Sequence, residues 1–97
     1  MTHTIITIQP DGTRSEQFAK PELELLQSAV GGYIEHVPHF DKFEGRKCRA
    51  YVNEEGAISD MPFNPHATEL WKAGGYRYAQ PLYGPLVITV KGPHTPA

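Results

Sequence analysis

The sequence has one cysteine, Cys48, among 97 residues. That excludes an intrachain disulfide and any zinc cage built on cysteines, and it suits a reducing cytoplasm. No apolar run approaches the length of a membrane span, and the N-terminus lacks the basic-then-apolar order of a secretory signal. Neither sign of charge dominates: nine Lys and Arg stand against eleven Asp and Glu, for a net charge of −2. This balance argues against a general nucleic-acid binder but leaves room for a local basic stripe. No glycine-rich loop follows a strand to cradle a phosphate, and no serine sits in a Gly-x-Ser-x-Gly turn. No motif implies a cofactor or a catalytic set, so the residues favour a protein that is not an enzyme.

What is present is enough for one thin-cored domain. The chain is 39% hydrophobic and 10% aromatic, which suffices to fold at this length and makes self-association a reasonable way to bury more surface. A single domain over 1–91 is expected, with 92–97 as a mobile tail rich in small and proline residues.

The organising stretch runs from Leu25 to Glu35. Pro21 suits a first helical position, Glu22 and Glu24 suit the positive pole, and Leu23, Leu26, Ala29 and Val30 recur at helical spacing. Gly31-Gly32 then stops the helix, and a strand over Tyr33 to Val37 leaves at once. Asn64-Pro65 predicts a second helix of the same type, with Asn64 as N-cap, Ala67, Leu70 and Trp71 as its apolar face, and Gly74-Gly75 as its stop. The fold class that follows is α+β: a small antiparallel or mixed sheet of four to six strands with two short helices, about 21–30 and 65–73.

Strands are expected where β-branched residues or alternation dominate. Thr4 to Ile8 pairs with Ser15 to Phe18 across the turn Gln9-Pro10-Asp11-Gly12. Arg46 to Val52 alternates, with Cys48, Ala50 and Val52 facing the core and Lys47, Arg49 and Tyr51 facing out. A hairpin from Arg49 to Ser59 is predicted through Asn53-Glu54-Glu55-Gly56. Pro38 to Gly45 reads as a loop with aromatic anchors. Tyr76 to Tyr83 reads as loop or edge strand because of Pro81 and Pro85. Leu86 to Val90 is the last strand, central or well covered.

Three residue sets bear on function. His36-x-x-His39-x-Asp41 has a metal-like spacing, but it straddles a strand end and contains a proline, which favours surface histidines and no metal. Glu54 and Glu55 are adjacent in a turn, where side chains diverge, so paired acid–base work is not expected. Lys47, Arg49 and Tyr51, with Tyr76, Arg77, Tyr78 and Tyr83, combine guanidinium forks with aromatic rings. Such a set can hold a phosphate and stack on a base, or it can form a subunit contact.

The runs Leu26-Gln27, Val30 to Glu35, Val52 to Gly56, Pro62-Phe63-Asn64 with Ala67-Thr68, and Gly84 before Val87-Ile88 together resemble domain of unknown function 3846, over roughly Leu23 to Val90. The resemblance implies a setting in phages and other bacterial mobile elements, hence a bacterial host cytoplasm, and carries no activity with it. Most matching residues are turn glycines, caps and core positions. Asn53, Glu54 and Asn64 have more polarity than a turn strictly needs.

The expectation is therefore an accessory protein that acts by binding, sequestering a nucleotide-derived signal or a host regulator. Its cleft would be built from Arg49 and Arg77 to hold charge, Tyr51 and Tyr78 to stack, and Asn53 or Asn64 to orient an edge. The alternatives are a protein–protein adaptor or homo-oligomer building block, and last a nucleic-acid accessory protein.

Overall fold

A computed structural model describes residues 2–93. In chain order its elements are β1 (His3–Ile8), β2 (Arg14–Ala19), α1 (Leu23–Val30), β3 (Ile34–His36), β4 (Lys42–Phe43), β5 (Arg46–Asn53), α2 (Pro65–Ala73) and β6 (Leu86–Lys91). The strands form a six-stranded open sheet in the order β2-β1-β6-β5-β3, with β4 also paired to β5. All pairings are antiparallel. The fold class is α+β, as the residue pattern predicts.

β6 lies centrally because it can be buried on both faces. Leu86, Ile88 and Val90 join one apolar cluster, and Val87 joins another. The pleat carries the same division through the sheet. Ile6, Ile8, Ala50 and Val52 pack toward α2 with Trp71, Ala67, Val37 and Phe40. Ile5 and Val87 pack toward α1 with Leu26 and Val30. The two helices therefore sit on opposite faces of one sheet.

α2 has the predicted bounds. The Asn64 side chain accepts from the Ala67 backbone N–H at 2.9 Å, and its amide donates to the carbonyls of Ile8 (3.0 Å) and Gly84 (2.9 Å). One side chain thus ties the start of α2 to the end of β1 and to the loop before β6. Gly75, rather than Gly74, takes the left-handed conformation after the helix. Leu70 stays exposed where an apolar face was predicted.

α1 begins at Leu23, later than Pro21. Glu22 is its N-cap with no side-chain bond, so Pro21 lies outside the helix. The helix is rolled so that Leu26 and Val30 meet the sheet, with Leu25 and Ala29 alongside. Leu23, expected on that face, is 57% exposed. Gly31 closes the helix at φ 79°, as its position predicts.

The predicted hairpin from Arg49 to Ser59 does not form. β5 has β6 along one edge and β3 along the other at Tyr51 to Asn53, so no edge is left for a returning strand. Residues 54–60 wind instead into helical-type turns. Ser59 N–H donates to the Glu55 carbonyl (2.7 Å), Met61 N–H donates to that of Gly56 (3.0 Å), and Ile58 is 84% exposed.

The stretch read as a loop over Pro38 to Gly45 contains a hairpin. Glu44 (φ 49°) and Gly45 (φ 81°) both take positive φ between β4 and β5. That is the two-residue turn whose twist suits paired strands.

Gly92 and Pro93, assigned to a tail, are held in place. Gly92 N–H donates to the Thr2 carbonyl, Thr4 Oγ1 donates to Gly92 O (2.8 Å), and Arg46 Nη1 donates to Pro93 O (2.6 Å). The rest of the predicted tail, 94–97, lies outside the described residues.

Candidate functional site

α1 covers only part of its face of the sheet. It packs over Ile5, Val87 and the half-buried Tyr51. Beyond it the same strands present polar side chains, because alternation puts Lys47, Arg49 and Tyr51 of β5 on the α1 side and Cys48, Ala50 and Val52 on the other. Arg49 faces Thr89 of β6, and Thr89 faces Ile5 of β1. Lys42 of β4 faces Lys47 of β5. These strands, with Pro21 at the border, line an open groove of about 640 Å³ that also takes in His3, Asp41 and Lys91. Its size falls within the usual range for small-molecule sites.

The electrostatics of the groove are one-sided. Lys42, Lys47, Arg49 and Lys91 line it, four of the nine Lys and Arg in the chain, against the single carboxylate of Asp41. Among the described residues none of the four has a carboxylate within ion-pair distance; the ion pairs described there join Arg14 to Glu16 and Glu44. Two ammonium groups about 5 Å apart in water repel by roughly 1 kcal/mol, and like charges directly opposite on neighbouring strands destabilise a sheet. A bound anion would remove that repulsion. On the floor, Thr89 is 6% exposed, and its hydroxyl has no partner among the described residues.

A second recess adjoins the first where β3 and β4 separate along β5. It is lined by His36, Asp41, Cys48, Arg49 and Tyr51. The His36 ring meets Tyr51 edge-on at 5.7 Å. Cys48 Sγ donates to the Phe40 carbonyl at 3.6 Å. Burial, and then the nearby Asp41 charge, push its thiol up to about 11, so it stays protonated at neutral pH and is no activated nucleophile.

The structure brings Arg49 and Tyr51 together but separates them from Arg77 and Tyr78. Tyr76 stacks on His39 at 4.5 Å and lies 5.6 Å from Trp71, within the α2-side cluster. Tyr78 meets Tyr76 edge-on at 5.7 Å, with the Arg77 guanidinium 5.1 Å from the Tyr78 ring. The sheet stands between these residues and Arg49, so one cleft walled by both arginines does not form. Tyr78, 61% exposed, instead belongs to a separate aromatic surface.

Asn53 and Asn64 are committed to the fold. Asn53 Nδ2 donates to the Val30 carbonyl (3.1 Å), and its Oδ1 accepts from Glu55 N–H (2.7 Å). Asn64 is wholly buried with its three bonds made, which leaves it no access to a ligand. His36 and His39 point to different rings on opposite faces, and among the described residues no group of three metal-binding side chains converges.

The family model described as Domain of unknown function (DUF3846) matches residues 1–95. The chain belongs to that family. No curated protein and no solved structure matches it.

The turn and cap residues that carried the resemblance in this DUF3846 chain, Gly31, Asn53 and Asn64, prove to be the joints of the fold. The groove lies outside them, and sequence reasoning missed His3, Lys42, Thr89 and Lys91. A signal for two of them existed in β6, where Val87, Thr89 and Lys91 alternate with the buried Leu86, Ile88 and Val90. Lys42 was hidden because its segment read as a loop.

Proposed function

We propose that this protein acts by binding rather than catalysis, capturing a nucleotide-like anion in the groove beside α1, as an accessory protein of a phage or bacterial mobile element in the host cytoplasm. The observation that carries this reading is one arrangement: four cations, with no carboxylate at ion-pair distance among the described residues, line the same groove as the buried Thr89. Arg49 offers a planar fork for phosphate oxygens, and Tyr51 offers a ring fixed by its packing on the α1 cluster. Isothermal titration with ribonucleotides tests it. Binding should disappear in Arg49→Ala and persist in Arg77→Ala, with both variants unfolding at the wild-type temperature. Undiminished binding by Arg49→Ala would remove the groove from consideration.

A further inference from the structure

The order of side chains along and across the groove says which anion it suits, and this step rests on the groove being the binding site. Along β5, Tyr51, Arg49 and Lys47 follow one another on the same face, each about 6.6 Å from the next at two residues of strand rise. Across the sheet, Lys42 faces Lys47, and the β5–β6 and β6–β1 registers carry that row on to Lys91 and His3. At about 4.8 Å per strand this row spans roughly 14 Å from β4 to β1. A single phosphate meets only neighbouring members of such a row, whereas a chain of phosphates can lie along it.

The other end differs in character. Tyr51 and His36 share the adjoining recess, and Asp41 lines both that recess and the groove, its place opposite Cys48 falling between the His36–Tyr51 pair and the Lys42–Lys47 pair. A carboxylate there accepts hydrogen bonds from hydroxyls and repels phosphate, so it orders the ligand end to end.

We infer that the ligand is a nucleoside carrying two or more phosphates. Its base rests on Tyr51 beside His36, its ribose hydroxyls donate to Asp41, its first phosphate meets Arg49 and the Thr89 hydroxyl, and its outer phosphates lie across Lys47 and Lys91. The recess has one aromatic seat, which fits one base rather than a run of them.

The test is titration of the full chain with the 5′ mono-, di- and triphosphates of the four ribonucleosides, with inorganic tripolyphosphate, and with a short single-stranded oligonucleotide. For at least one nucleoside, affinity should rise tenfold or more from mono- to triphosphate. Lys91→Ala should erase most of that rise, weakening the triphosphate several-fold more than the monophosphate. Tyr51→Ala and Asp41→Asn should weaken the triphosphate but not tripolyphosphate. Tyr51 is half-buried against the α1 cluster and loses packing on truncation, so the readout is triphosphate against tripolyphosphate in the same variant, which loss of the fold would weaken alike.

A monophosphate that binds as tightly as its triphosphate overturns the inference while the groove reading stands. Tripolyphosphate binding as tightly as every nucleotide overturns the assigned orientation. An oligonucleotide outcompeting the triphosphates replaces the ligand with nucleic acid. Absence of binding by any of these anions defeats the groove reading itself.

Discussion

Cys48 shows how much one side chain reveals by alternation alone. Its place between Lys47 and Arg49 put it on the inner side of β5, and there its thiol donates to Phe40 while its backbone N–H donates to the Asp41 carbonyl. Its ordinary value of 9.0 is raised to about 11 by burial and then by Asp41. The unfolded chain releases this proton first, so the folded state binds more protons between those values. Stability therefore falls as pH rises through that window and is unaffected by this group below it. Urea unfolding across the window should show a shallower decline for Cys48→Ala than for the wild type. Asn53 and Asn64 were harder to read. An amide's polarity looks the same whether it serves a ligand or the chain, and the partners of Asn64 lie 56 and 20 residues away.

α2 was legible as an element because its signals are local: Asn-Pro at one end, Gly-Gly at the other, and Trp71 between them. The hairpin expected after β5 was not, because β6 and β3 occupy the two edges of β5 and leave none for residues 57–59. Likewise α1 kept its stop but lost its predicted start, since packing of Leu26 and Val30 set its roll more strongly than Pro21 set its first turn. The start of α2 is the joint to probe. Asn64→Ala removes a cap and leaves two buried carbonyls unpaired, which together should cost on the order of 3 kcal/mol in urea denaturation. Asn64→Asp keeps the acceptor for Ala67 but loses both donors, and it should not restore wild-type stability.

Across the whole molecule, a net charge of −2 hides an uneven distribution. The basic row on β5 could be read from sequence, but its continuation over β4, β6 and β1 depends on strand order, which no local pattern encodes. An open groove of this kind is exposed to counterions. Raising ionic strength to about 1 M, where the screening length is about 3 Å, should weaken nucleotide binding by roughly tenfold or more relative to dilute buffer. Titrations at both ionic strengths check this, and an unchanged affinity would mean that contacts other than charge hold the ligand.

The central position of β6 also bears on how the chain reaches its native state. In order of synthesis this segment comes after the other five strands, yet among the described strands it is the one that pairs with both β1 and β5. Before it emerges, contacts such as Asn64 to the Ile8 carbonyl and Arg14 to Glu44 can bring the earlier portions together, but among the described residues no strand pairing joins them. Cooperative folding must wait for residues 86–91, and a nascent chain arrested before them would expose apolar edges on both halves to chaperones and proteases.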